Sequence, residues 1–464
     1  MKEQNNAYQN PIHTFYSKVQ YNWHDLLVLT GYYPEMGQDG ATILRPGHYN
    51  QDQFLDELLQ NTNAQYEQNG SLYTFRSEAP DTNAWFRLLL ENERGRESGS
   101  WIDPSAIEFP MNAIVMQFIR LGLRTVESCR GFHGRRQRFR MGKPYVIFET
   151  SRDAILAETM LKAGAYNCRL IGRNKRLIID ESIDTLLEIG LRLSAVTTLG
   201  GYEKLLRAKR ELRLMHLLDI PGETGKERLV GAYLLRTLEQ YPGNAWMDAS
   251  GNVLAEIVIG QPREDMPCIL LSAHQDVRDN TGVGQKIVVD GGIIRRENGI
   301  LGADDRAGVA AKLNVLESLI KHRYPCRLKL AFPVGEEKGQ YGAEAIDPSF
   351  FDSVGLGISL DRRGSNDIVY YSSNYTYAQK HQTEFIERFS SYLWDDKQYH
   401  YKACRGGVSD LRVWSQMGIP SVNLSIGYEG EHYPGESLDL DAWHRAQDLL
   451  LEIITRADYK DLKS

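Results

Sequence analysis

Cysteine is scarce. Five residues in a chain of 464, Cys129, Cys168, Cys268, Cys326 and Cys404, lie far apart and never at CxxC spacing. That pattern argues against a disulfide framework and fits reduced thiols in a cytoplasm. No stretch approaches 18 consecutive apolar residues, so no membrane span is expected. The N-terminus, MKEQNNAYQN, lacks the apolar segment of a secretory signal. Internal repeats and low-complexity tracts are also missing. The charge balance is modest, a net -7 from 54 basic and 61 acidic residues. It offers no basic surplus for a nucleic acid or an anionic membrane as main partner. A cytoplasmic, soluble chain is the expectation.

What is present is ordinary globular material, 42% apolar and 25% charged. The length is too great for one ordinary core and suggests two domains, 1–200 and 201–464. The first hundred residues are polar, rich in Asn, Gln and Tyr, with few periodic runs. After Pro110 the pattern sharpens. Helices are predicted over 113–121 and 152–163, and strands over 124–128, 145–149 and on both sides of Gly172. This mixture reads as an α+β domain that ends at the TTLGG break near residue 200. From Tyr202 the texture changes. An amphipathic helix over 204–217 leads through DIPGETGKE into a second helix over 227–241, and a last helix is predicted over 442–455. Between them the apolar runs CILLSA, RLKLAFPV, GLGISL and SVNLSI alternate with helical stretches. The expected fold is α/β, a mostly parallel sheet with helices on both faces.

Each of those four runs is followed closely by a residue able to bind metal. CILLSA leads into His274 and Asp276, RLKLAFPV into Glu336 and Glu337, and GLGISL into Asp361. SVNLSI is followed by GYEGEH, which ends in His432. In open α/β sheets, ligands bind beyond the carboxyl ends of the strands. Residues spread over 158 positions (432 minus 274) are thereby expected at one sheet edge. Asp304, in GADDRAG, precedes a helical run, where a helix N-terminus adds positive potential. Two imidazoles and several carboxylates suit a divalent ion such as zinc. Each piece alone has a plainer reading: Asp304 as a helix cap, Glu336 and Glu337 as a solvated pair, Asp361 as a turn residue, His432 as a surface histidine. Their shared order and strand-end placement favour a site.

HQD, GADDRAG, GEEKG, LDRRG and the histidine of GYEGEH together resemble the co-catalytic zinc peptidases of the M20 and M28 groups. The wording of GADDRAGVAA and GEE is most similar to tripeptidase-type M20 members. The resemblance covers roughly residues 205–460. It implies a metallopeptidase with two divalent ions, zinc first and cobalt or manganese as alternatives. His274 and Asp361 would hold one ion, Glu337 and His432 the other, with Asp304 between them. Asp276 would orient the His274 imidazole. Glu336 would be the general base, taking a proton from the attacking water and passing it to the leaving amine. The peptide between Asp304 and Asp305 would be cis.

The departures are in spacing. Only 71 residues separate Asp361 from His432, too few for the M20 lid domain, and only 30 separate His274 from Asp304, too few for the domain that M42 enzymes insert there. The catalytic module is therefore expected to be compact, without an inserted lid, and an oligomer would not form through one. CRGGVSDLRVW resembles the GG-(S/T)-D segment of these families. Gly406 and Gly407 read as a close backbone approach, and Asp410 as a structural or substrate-amine contact. An aminopeptidase on short peptides is the leading expectation. An N-acyl amino-acid amidohydrolase of the same superfamily is second, and a non-catalytic binding protein retaining the fold is third. The filled ligand and base positions count against the last. In the N-terminal half, Arg130, Arg135, Arg136, Arg138, Arg140 and Lys143 form a basic run beside Cys129 and His133. It reads as an anion-binding loop or an exposed basic turn, and the function of residues 1–200 is left open.

Overall fold

The computed structural model describes residues 17–37, 39–45, 49–91, 107–129, 143–172, 175–196, 201–264 and 266–456. The chain divides into two compact units, Met1–Leu212 and Arg213–Ser464. None of the described helices is long and apolar enough to cross a membrane.

The first unit runs through α1 (Trp23–Thr30), β1 (Glu35–Met36), β2 (Thr42–Leu44), α2 (Tyr49–Asn61), β3 (Glu67–Asn69), β4 (Leu72–Phe75) and α3 (Thr82–Glu91). It continues with α4 (Met111–Arg120), β5 (Thr125–Cys129), β6 (Tyr145–Phe148), α5 (Ser151–Ala163), β7 (Cys168–Ile171), β8 (Arg176–Ile179), α6 (Ile183–Ala195) and the start of α7 (Gly201–Leu218). Two antiparallel sheets result, in the orders β1-β2-β4-β3 and β5-β6-β8-β7. The second sheet matches the pattern read from sequence. Its helices start at side-chain caps: the Asp153 amide donates to Thr150 before α5, and the Thr185 amide to Ser182 before α6.

The described residues between 17 and 91 hold more regular structure than their composition suggests. Trp23, Tyr73, Phe75, Trp85 and Phe86 build a core there, with the Trp23 and Phe75 rings 4.4 Å apart. The strands are two to four residues long, too short to show a period, and large aromatic rings replace an aliphatic pattern.

The second unit comprises α8 (Arg228–Leu238), β9 (Asn244–Met247), β10 (Val253–Ile259), β11 (Cys268–Ser272), β12 (Ile287–Asp290), β13 (Ile293–Arg296), α9 (Ala303–His322), β14 (Cys326–Phe332) and α10 (Tyr341–Glu344). Then come β15 (Val354–Arg362), β16 (Asp367–Tyr371), α11 (Lys380–Leu393), β17 (Lys402–Arg405), α12 (Leu411–Gln416), β18 (Ser421–Ser425), β19 (Tyr428–Glu429), β20 (Ser437–Asp439) and α13 (Leu440–Arg456). The main sheet has the order β17-β16-β18-β15-β11-β14-β10-β9. Its centre, β18-β15-β11-β14, is parallel, and antiparallel pairs flank it at β16–β18 and β10–β14.

Strands buried on both faces explain the continuous apolar runs. Ile269 and Leu271 of β11 enter the core with α9, α11 and α13, and Leu270 points into the opposite core with Phe350, Phe351 and Trp414. The residues between Asp361 and His432 build β16, α11, β17, α12 and β18, so this span serves the sheet itself.

Candidate metal centre

The four central strands share a direction, so their carboxyl ends meet at one edge. Two residues beyond β11 stands His274, 1% exposed. Its Nδ1 lies 3.0 Å from the Asp276 carbonyl oxygen and 3.3 Å from the Asp276 carboxylate, and its Nε2 faces outward from the strand end. Asp276 is itself held: its carboxylate accepts from the Thr224 hydroxyl at 2.9 Å and from the amides of Glu336 and Glu337 at 3.1 and 3.3 Å. One buried carboxylate therefore ties the HQD loop to the GEE turn and to the DIPGET segment.

The GEE turn needs its glycine. Gly335 has φ +67°, and a Cβ there would come within 1.9 Å of the Tyr341 ring. The turn sends Glu337 one way and Glu336 another. Glu337 Oε1 lies 2.9 Å from His432 Nε2, and Glu336 Oε1 accepts from Gln340 at 3.3 Å. His432 follows β19 on a turn with φ +72°, and its Nδ1 is 3.2 Å from the guanidinium of the exposed Arg278.

Asp304 stands between the two imidazoles. Its Oδ1 is 3.0 Å from His274 Nε2 and its Oδ2 is 3.2 Å from His432 Nε2. Asp361, the penultimate residue of β15, brings Oδ1 to 3.8 Å from His274 Nε2 and is oriented by the Tyr428 hydroxyl at 3.2 Å. The Asp304–Asp305 peptide is cis, as the resemblance implied, and neither residue has helical backbone angles.

Two groups of ligand atoms result, each with its atoms within 4.8 Å of one another: His274, Asp305 and Asp361, and Asp304, Glu337 and His432. The electrostatics follow from crowding acids and imidazoles away from water. Burial works against a charged His274, but the carboxylates of Asp276 and Asp304 outweigh it and raise its pKa. The carboxylates of Asp304 and Glu337 push His432 up to about 10. Burial, reinforced by the neighbouring carboxylates, drives Asp361 and Asp305 well above the usual range. Burial takes Glu336 to about 7, with Asp304 adding to the rise and His274 opposing it.

This donor set fits divalent metal. His432 Nε2 and Glu337 Oε1 are enclosed and within 2.9 Å, yet neither has an aligned hydrogen-bond partner, and Asp305 Oδ2 is equally without one. Such atoms converge on a shared point rather than on each other, and buried polar atoms seldom go unsatisfied. Imidazole with carboxylate is the ligand chemistry of zinc and related ions.

Residues 252–459 match the family model described as Peptidase family M28. The chain is also similar to the uncharacterized protein YqjE of Bacillus subtilis (strain 168), 30% identical over 168 residues, which cover 33% of this chain and 44% of that protein. The match thus spans less than half of that relative's length. Among solved structures it resembles the aminopeptidase PepT from Bacillus cereus (TM-score 0.48, 18% identity, covering 54% of this chain and 97% of that one). It also resembles a tripeptidase from Staphylococcus aureus (TM-score 0.46, 16% identity, 54% and 97%).

In the second unit the structure brings together all seven residues singled out from sequence: His274, Asp276, Asp304, Glu336, Glu337, Asp361 and His432. Others were not singled out. Asp305 joins the His274 group, and the only trace of it in the sequence was the doubled aspartate of GADD. Arg278 follows the HQD motif by two positions and touches His432. The close approach expected at Gly406 and Gly407 holds only for the first. A Cβ on Gly406 would come within 2.4 Å of Val369, whereas one on Gly407 meets nothing within 4 Å. Asp410 precedes α12 and is 2% exposed, and burial raises its pKa, with the Glu336 charge adding to the rise. The basic run at 130–142, with His133, lies outside the described residues. Of its neighbours, Cys129 is buried and Lys143 pairs with Asp180.

Proposed function

We propose that this protein is a metal-dependent hydrolase of peptide bonds, an aminopeptidase acting on short peptides with two divalent ions, zinc first among them. The observation that carries the reading is the placement of Asp304 between His274 and His432, at 3.0 and 3.2 Å. A carboxylate reaching two imidazoles, each backed by a further acid, is the arrangement a two-metal site requires. His274 and Asp361 would hold one ion, His432 and Glu337 the other, and Asp304 both. When bound, two such ions supply Lewis acidity toward the scissile carbonyl and lower the pKa of water.

The protein's own groups do the rest. Glu336, facing the same edge without belonging to either ligand group, accepts the proton of the attacking water and delivers it to the departing amine. Its neutral and charged forms lie close in energy near neutrality, which suits a group that must do both. Asp276 keeps the Nδ1 proton of His274 in place, leaving Nε2 free for metal.

The test is hydrolysis of aminoacyl, dipeptide and N-acyl amino-acid substrates by metal-free protein given zinc, cobalt or manganese. Cleavage that removes an N-terminal residue, depends on added metal and disappears in His274→Ala and His432→Ala is the expected result. Cleavage confined to N-acyl amino acids would reassign the enzyme as an amidohydrolase. No metal uptake after reconstitution at neutral pH would remove the metal reading altogether.

A further inference from the structure

Glu436 is 1% exposed and lies four residues beyond His432. Its carboxylate turns back onto the start of α9. Oε2 accepts from the Gly302 amide at 2.7 Å, and Oε1 accepts from the Asp304 amide at 3.1 Å. Amides in the first turn of a helix have no carbonyl partner within it. Here the usual remedy is missing, because Gly302, at the N-cap, has no side chain to offer. The turn is also irregular: Gly302 has φ +77°, and Asp304 and Asp305 leave the helical region. The carboxylate of Glu436 thus holds the very segment that presents Asp304.

We propose that Glu436 is a positioning residue of the metal centre, bridging the Asp304 turn to the His432 loop and so fixing the carboxylate between the two imidazoles. The inference rests on the metal reading above. Its geometry is specific in two respects. The bond at 3.1 Å is to the amide of Asp304 itself, so a shift of Glu436 moves the ligand residue directly. The four-residue tether to His432 means that one side chain relates two ligands of the same group, Asp304 and His432, which lie 3.2 Å apart. An acid is needed because both oxygens accept. In a glutamine of the same size one of them becomes a carboxamide NH2, setting donor against donor at one of the two backbone amides.

Zinc titration of the metal-free, full-length protein by calorimetry tests this, comparing wild type with Glu436→Gln and Glu436→Ala. Thermal unfolding of the metal-free forms is measured in parallel. Groups that orient metal ligands are worth about 10–100-fold in affinity, and a loss in that range is expected for at least one of two ions in both variants. In Glu436→Gln, which keeps the volume, the metal-free melting temperature should fall, since one buried amide loses its acceptor, but the protein should remain folded at the titration temperature. Unchanged affinity in both variants overturns the inference. So does a loss no larger than the unfolded fraction at the titration temperature, since that is the signature of a helix cap alone. Wild-type protein that takes up no zinc overturns the metal reading and this inference with it.

Discussion

Glu336 and Glu337 are neighbours in the chain with different surroundings. Glu337 points at His432, and Glu336 accepts from Gln340 at 3.3 Å and is pushed up to about 7, chiefly by burial. Adjacent carboxylates whose environments differ can divide ligand and proton-transfer roles. Glu336→Gln should therefore leave metal content and fold unchanged and lower turnover by about 10²–10⁴-fold, the usual contribution of general acid–base catalysis. Metal analysis alongside steady-state kinetics checks it, and full activity in this variant would remove the proton-transfer role. Four of the five candidate ligands, His274, Glu337, Asp361 and His432, were legible in the sequence because each follows an apolar run at a strand end, and Asp304 because it opens the helical run of GADDRAG. Asp305 and Glu436 were not. Asp305 is masked by its neighbour Asp304, and the partners of Glu436 are backbone amides, which leave no residue pattern to read.

At the scale of elements, legibility followed burial. The strands β11, β14, β15 and β18 are covered on both faces, so each reads as a mainly apolar run, broken by Arg327 and Lys329 in β14, by the terminal Asp361 and Arg362 in β15, and by Ser421, Asn423 and Ser425 in β18. The small antiparallel sheet β12-β13-β20-β19 has partly exposed strands of two to four residues and could not be read in that way. The antiparallel flanks of the main sheet were also beyond reach, because strand direction depends on pairing partners far away in sequence. Among the legible strands β11 is central, with parallel partners on both sides. Leu271 in it is fully buried, three positions before His274. Leu271→Ala should cost about 2–5 kcal/mol, the loss of transfer energy plus an unfilled cavity. Denaturant unfolding of the metal-free protein would measure it, and a change within 0.5 kcal/mol, roughly that of a surface substitution, would mean the strand is less enclosed than its packing shows.

For the whole molecule, the proposal is that the N-terminal and C-terminal parts, expected from sequence as 1–200 and 201–464 and parted in the structure between Leu212 and Arg213, are independent folding units. The supporting observation is that the buried clusters separate along the chain. Among the described residues, the cores around Trp85 and around Phe118 draw on residues up to Leu212, and those around Leu271 and Trp414 on residues from Leu214 onward, so the clusters part inside α7 and place Ala208 and Leu212 with the first core rather than the second. All seven residues of the proposed centre lie in the second set, so metal should stabilise one domain and leave the other untouched. An ion that binds only the folded form adds RT ln(1 + [L]/Kd), about 2.7 kcal/mol at a free concentration one hundred times Kd. Scanning calorimetry of the full-length protein should accordingly show two transitions. Added zinc should raise the melting temperature of one and leave the other in place, and a chelator should reverse the shift. The identity of the moving transition can be checked with Leu271→Ala, which should lower that same transition in the metal-free protein. A single transition that moves as a whole with zinc would show instead that the two halves unfold together, and the division within α7 would then carry no thermodynamic meaning.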